Sequence, residues 1–220
     1  QTFLRVFGPI FALSQYYVIH SENPQKRLIS HAADIVRKAG VVVFPTDTAY
    51  AIGCLIGNKD ALDRIRRIRQ LDDKHLFTLV CKDLSELGTY ARVNNLVFRQ
   101  LKAHTPGPFT FVLEATKEVP RRFHIGKRKQ IGVRVPQNPI LLDLLAELGE
   151  PMVSSTLRMP GDEQPMSEPW EIREILEHHV DLVIDGGYAG IEETTVIDMS
   201  DAVPQLIRQG KGDFSDFATV

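Results

Sequence analysis

The run Pro45-Thr46-Asp47-Thr48-Ala49-Tyr50 sets two hydroxyls, a carboxylate and a phenol between apolar runs at 41–44 and 51–54. Polar groups at the ends of buried strands face either a ligand or their own turn. Taken alone, this run reads first as a hairpin with an Asx-type turn. Arg134, inside Ile131-Gly132-Val133-Arg134-Val135-Pro136, alternates away from Val133 and Val135 and needs a partner. A carboxylate such as Asp47 or an anionic ligand meets that need equally well, because the planar guanidinium matches carboxylate and phosphate alike. Ser154-Ser155-Thr156 closes another apolar run, where hydroxyls and N–H groups suit a phosphate or carboxylate, or simply meet solvent. In Thr105-Pro106-Gly107-Pro108-Phe109-Thr110 the glycine between prolines makes a rigid bend, either plain punctuation or a close approach of backbone to ligand. Thr194-Thr195 and Arg208 form a similar late pair. No Gly-rich phosphate loop, zinc spacing or Ser–His–Asp pattern is recognisable.

Two basic clusters offer a different chemistry. Arg64, Arg66, Arg67 and Arg69 fall together, and Arg121, Arg122, Lys127, Arg128 and Lys129 follow later with Phe123 and His124 interleaved. Such clusters are usually solvated faces. Interleaved aromatics raise the case for a strip that tracks phosphate backbones.

The elements that hold these groups are legible in outline. Short strands are expected at 15–19, 41–44, 49–56, 77–81, 109–115, 131–135, 152–156, 181–185, 195–199 and 205–208. Helices are expected from Asn23-Pro24 to Gly40, from Asn58 or Asp60 to Arg69, after the Asp83-Leu84-Ser85-Glu86 capping box, over 94–103, over 139–148 and over 171–178. Residues 158–169 make the longest irregular segment. Helices and strands alternate at first and strands accumulate at the end. The expectation is therefore an α/β (α+β) fold: one domain with a twisted mixed parallel and antiparallel sheet flanked by helices.

With 220 residues and 43% hydrophobic content the chain can bury one substantial core. Its 26 Lys and Arg against 28 Asp and Glu exclude a globally basic nucleic-acid binder, so any basic face is local. Cys54 and Cys81 lie in apolar runs, which fits buried thiols in a reducing cytoplasm. The apolar stretch 1–13 is too short to span a bilayer and reads as an N-terminal extension or cloning remnant rather than a signal peptide. A domain at 14–212 and a tail at 213–220 follow.

Taken in order, Pro45 to Cys54, the Pro-Gly-Pro-Phe-Thr bend, Val133-Arg134-Val135-Pro136, Pro151 to Thr156, Thr195-Val196-Ile197-Asp198 and Ile207-Arg208-Gln209-Gly210 resemble the YrdC/YciO family over nearly the whole chain. The resemblance implies a twisted mixed sheet with a concave basic face. It also implies threonylcarbamoyl-AMP synthase chemistry, in which threonine, bicarbonate and ATP with magnesium combine, pyrophosphate leaves, and the product feeds threonylcarbamoyladenosine in tRNA. By position, Thr46, Thr48 and Tyr50 would line a threonine and nucleotide pocket. Arg134 would meet the anionic ligand, Ser154 and Thr156 would lie near phosphates, and Thr195 and Arg208 would close the far wall; Arg69, His75 and Thr110 complete the expected set.

The Lys-x-Arg-Pro of the synthases falls here on Arg69-Gln70-Leu71-Asp72, and their Ser-x-Asn on Thr156-Leu157-Arg158. This pattern, with His75, is closer to the YciO branch. The expectation is a retained nucleotide and amino-acid cavity with weak or altered synthase activity. The alternative is a non-catalytic binder of tRNA or double-stranded RNA using the concave face with Arg66, Arg67, Arg121, Arg122, Lys127 and Arg128.

Overall fold

The computed structural model describes residues 13–217. The segment 1–12, and with it most of the expected extension, lies outside the described residues. Ten strands form one sheet: β1 (Gln15–Val18), β2 (Val42–Phe44), β3 (Ala51–Leu55), β4 (Thr78–Val80), β5 (Phe109–Glu114), β6 (Gln130–Arg134), β7 (Met152–Thr156), β8 (Leu182–Asp185), β9 (Thr195–Asp198) and β10 (Gln205–Arg208). Their order is β1-β8-β2-β3-β7-β4-β6-β5-β9-β10. The pairs β1/β8, β2/β8, β4/β6 and β5/β9 are parallel and the other five antiparallel, which is the mixed sheet the pattern predicts. The helices are α1 (Lys26–Arg37), α2 (Lys59–Arg69), α3 (Leu84–Tyr90), α4 (Asn95–His104), α5 (Pro139–Leu148) and α6 (Pro169–Leu176). None of them is long and apolar enough to cross a membrane.

Helix ends follow their caps. The side chains of Asn58, Asp83, Asn94 and Asn138 each accept a hydrogen bond from a first-turn N–H, and Gly149 closes α5 in the left-handed region at φ 70°. The first helix differs from expectation. It begins at Lys26 rather than at Asn23-Pro24, because His20 Nδ1 accepts the N–H groups of Glu22 and Asn23 and holds them in a separate turn. At its far end Ala39, not Gly40, takes the left-handed conformation at φ 69°. Gly40 is needed for space: a Cβ there would lie 2.5 Å from the Ile35 carbonyl oxygen.

The two faces of the sheet are covered unequally. Val43, Ile52, Leu79, Phe111, Val133, Val153, Val183 and Ile197 point to one face, where α2, α3, α4 and α6 bury them in the larger core. Val42, Phe44, Ala51, Val80, Met152, Leu182 and Ile184 point to the other, under α1 and α5. Strand side chains alternate, so the registry puts Thr78, Ser154, Gly132, Thr110 and Val196 on that second face as well. Helices α1 and α5 stop short of this half, and a concave, hydroxyl-bearing floor remains.

Of the expected tail 213–220, the described residues reach Phe217, which packs into the domain. The Phe217 ring lies 5.4 Å from Phe109 and 6.1 Å from Phe111, is 1% exposed, and closes the core beside His104. Phe217→Ala is expected to lower stability by about 3 kcal/mol, as for other buried phenylalanines, which urea unfolding measures.

Candidate functional site

Two adjoining recesses share the walls Thr78, Thr110, Ser155, Thr156 and Thr194. The larger is a cavity of about 340 Å³ rimmed by Arg69, His75, Arg158, Glu193 and Arg208. The smaller, about 30 Å³, reaches under the β2–β3 turn to Thr46, Thr48, Arg134 and Ser154. Gly132 keeps their common floor low. A Cβ on it would press on the Phe77 carbonyl oxygen and the Thr110 methyl, each 3.2 Å away.

The β2–β3 turn is built by Thr46. Its hydroxyl donates to the Ala49 carbonyl (2.6 Å) and accepts the N–H groups of Thr48 and Ala49, both at 3.1 Å. A hydroxyl has one proton to give, so the 2.9 Å contact between the two threonine hydroxyls makes Thr48 the donor and Thr46 the acceptor. Thr46 is thereby committed to the turn, and Thr48 carries the hydroxyl nearer Arg134. Of the two partners open to Arg134 in the sequence, the structure supplies Asp47, in a buried ion pair. The Gly107 carbonyl accepts a further bond from the same guanidinium, so the Pro-Gly-Pro bend serves as a clamp on Arg134. Burial pulls the Arg134 pKa down and Asp47 opposes that shift. Arg134 Nε and Asp47 Oδ2 are buried polar atoms with no protein partner, pointing to room for another polar group beside the pair.

At the rim of the larger cavity, charge is concentrated. Arg69 comes from the last turn of α2, donates through Nε to the Arg158 carbonyl and reaches Ser155 Oγ with NH1 at 2.9 Å. His75 Nε2 lies 3.0 Å from the same oxygen. Arg208 is fastened to the Thr194 carbonyl at 2.8 and 3.1 Å, and Thr194 in turn meets Thr110 at 2.8 Å. Among the described residues, Glu193 is the one carboxylate that lines this cavity. It lies 3.2 Å from Arg208 and 3.7 Å from Arg158. Burial, then Arg158, lowers the Arg69 pKa to about 10, which leaves it charged at neutral pH. Burial, then Arg69 and Arg66, drives His75 down to about 4, so its imidazole is neutral there.

Nine of the eleven expected ligand residues therefore border the recesses. Two do not. Tyr50, between Ala49 and Ala51, points to the opposite face, where its hydroxyl donates to the Gly187 carbonyl at 2.7 Å and its ring is fully buried. Thr195 is also fully buried, with its hydroxyl on the Gly212 carbonyl at 2.6 Å, and its neighbour Thr194 takes the cavity position. Ser155 and Thr194, singled out in the sequence only as members of the Ser154-Ser155-Thr156 and Thr194-Thr195 runs, line the larger cavity, and Thr78 and Glu193 join it without having been among the expected residues.

The expected RNA contacts divide. Arg67 is exposed on α2, whereas Arg66 bonds the Asp72 carbonyl at 2.7 Å and lies over the Phe77 ring. Arg121, Arg122, Lys127 and Arg128 sit on the β5–β6 connection, at the far end of those strands from Thr110 and Arg134. There Arg128 pairs with Asp201 at 2.6 Å and Arg122 bonds the Ile56 carbonyl at 2.9 Å. The second cluster does not share the concave floor.

A ten-stranded mixed sheet with one half-bare face, floored by hydroxyls and rimmed by arginines, defines an α/β domain with a cationic cleft. The chain belongs to the Sua5/YciO/YrdC family, whose model, described as "Telomere recombination", matches residues 34–210. It is 56% identical over 205 residues to the YciO protein of Escherichia coli (strain K12), covering 93% of this chain and all of that one. The crystal structure of E. coli YciO superposes with a TM-score of 0.90. A threonylcarbamoyl-AMP synthase of Halorhodospira halophila is 28% identical over 170 residues, 77% of this chain and 88% of that one. The structure of P. abyssi Sua5 complexed with L-threonine has a TM-score of 0.80 at 26% identity, over 88% of this chain and 57% of that one.

Proposed function

We propose that the concave site binds ATP and a small amino acid, L-threonine, and that it carries weak or altered L-threonylcarbamoyladenylate synthase activity. The observation that carries this reading is the pair of adjoining recesses on one hydroxyl floor. The larger has three guanidinium groups for a triphosphate, and the smaller sits beside Arg134 for a carboxylate. The likeness to a threonylcarbamoyl-AMP synthase and to a threonine-bound Sua5 supports the choice of ligands.

Triphosphate suits the residues present. Among the described residues no group of three His, Cys, Asp or Glu could hold a metal, and both Asp47 and Glu193 are engaged by arginines. Magnesium would therefore arrive on the phosphates, where it neutralises their charge. The chain's own residues position the reactants: Arg69, Arg158 and Arg208 hold phosphate oxygens, the floor hydroxyls orient them, and Arg134 with Thr48 fixes the amino acid. The arginines at 69 and 158 and the leucine at 71, where the synthases carry Lys, Asn and Arg, favour a reduced or altered rate. The two free buried thiols fit a cytoplasmic setting.

In a pyrophosphate-release assay at high protein concentration, slow release is expected that requires both threonine and bicarbonate and falls at least tenfold in Arg134→Ala. Release independent of threonine, or none, overturns the synthase reading. The second reading, a tRNA or double-stranded RNA binder, draws on exposed Arg67, Arg121 and Lys127. It requires RNA affinity that falls steeply with salt and weakens when Arg121 and Lys127 are neutralised.

A further inference from the structure

We propose that His75 is the proton acceptor of this site and that it becomes competent when a polyanion fills the neighbouring cavity. The synthase reading above requires such a group. Joining an amino acid's ammonium to bicarbonate follows R–NH3+ + HCO3− → R–NH–COO− + H2O + H+. An N–C bond forms, a C–O bond breaks, the departing hydroxyl leaves as water with one N–H proton, and a second N–H proton must find a base. The two carboxylates at the recesses are held by arginines. His75 borders the cavity as a neutral imidazole.

Its surroundings are built to take that proton conditionally. Arg66 and Arg69 face it from α2, Asp72 from the following loop and Arg158 from beyond β7. Glu193 and Arg208 line the same cavity from the chain before β9 and from β10. Phe77 presents a ring edge at 4.9 Å. Three nearby guanidinium groups oppose a fourth positive charge and one carboxylate favours it. An anion bound among Arg69, Arg158 and Arg208 offsets that repulsion and raises the basicity of His75. Ser155 accommodates either state by rotating its hydroxyl hydrogen, with no heavy atom displaced. Arg69 already donates to Ser155 Oγ, so its hydroxyl proton is available to neutral Nε2, and after protonation Nε2–H donates to the remaining lone pair.

The linkage has a fixed sign. The free protein's His75 titrates near 4, below its ordinary 6.5, so anion binding takes up a proton between that pH and the higher value set by the bound anion. Anion affinity is therefore greatest at low pH and falls as pH rises through that window. Sulfate is the probe, because it does not titrate there. Calorimetry with the full chain should show sulfate binding tightening about tenfold from pH 7 to pH 5, with proton uptake. His75→Gln, which keeps a partner for Ser155, should lose most of the change in sulfate affinity between pH 7 and pH 5, and most of the proton uptake. His75→Asn serves as a second variant should glutamine disturb the fold. Equal pH dependence in wild type and variants, or none in the wild type, overturns the proposal whether or not the protein is a synthase. With the linkage present, an unchanged kcat for threonine-dependent pyrophosphate release in His75→Gln also overturns the acceptor role. A lowered kcat with unchanged KM for ATP upholds it. If the wild type releases no pyrophosphate, the synthase reading falls and the sulfate measurement alone decides His75.

Discussion

Asp47→Ala is expected to destabilise the protein by about 3–5 kcal/mol, the usual cost of leaving one partner of a buried ion pair alone. Arg134 is 5% exposed, and its remaining contacts, the Gly107 carbonyl at 3.3 Å and the Thr48 hydroxyl at 3.4 Å, are neutral and long. Without Asp47 the guanidinium keeps its charge in a place water reaches poorly. Arg134→Met should cost less, because the Asp47 side chain it leaves behind is the more exposed of the two, 11% against 6%, and the double variant should recover much of the loss. Urea unfolding of the four proteins measures the coupling directly. A small effect of Asp47→Ala that persists in the Arg134→Met background would show that the pair does not hold the turn. A further outcome bears on function: Asp47→Ala should weaken at high salt less than at low salt, since a bound anion can replace the lost carboxylate.

Much of the scaffold was legible because local signals agreed with tertiary ones. Helix α5 has Asn138 as its cap, Pro139 at its first position, Gly149 at its end and a continuous apolar face, and its expected limits are the observed ones. Strands β7 and β10 also fell where expected. The first helix did not, since the side chain that outcompeted its expected cap belongs to His20, outside the pattern a helix start presents.

Site residues were harder for a different reason. A strand's alternation separates its residues into two sets without saying which set faces a ligand. Tyr50 and Thr195 belong to the set turned toward the larger core, and only the placement of α1 and α5 over Val80 and Met152 reveals that Thr78, Ser154 and their neighbours face open space. Glu193 had no local signature. It reaches Arg158 only because β9 and β10 add to the sheet beside β5, a topological fact that no spacing carries.

That carboxylate carries the second large prediction. Glu193 occupies the space between Arg158 and Arg208 that an anionic ligand would take, and its backbone cannot easily retreat. Its carbonyl accepts the Lys211 N–H at 3.0 Å, and Gly210 packs so closely on residues 193 and 194 that a Cβ would collide with them. An incoming phosphate must therefore bind beside a fixed negative charge or push the side chain aside. Removing that charge at a partly exposed site changes the interaction by about 1.4 kcal/mol, so Glu193→Gln should bind inorganic triphosphate about tenfold more tightly than the wild type. The same substitution strips Arg158 and Arg208 of their counterion. The variant should thus be less stable in low salt by about 1 kcal/mol and gain more than the wild type when triphosphate is added. Thermal unfolding with and without triphosphate separates the two effects. Weaker triphosphate binding in Glu193→Gln would make the carboxylate an organiser of the arginines rather than a competitor of the ligand, because only an organiser is missed once the anion arrives.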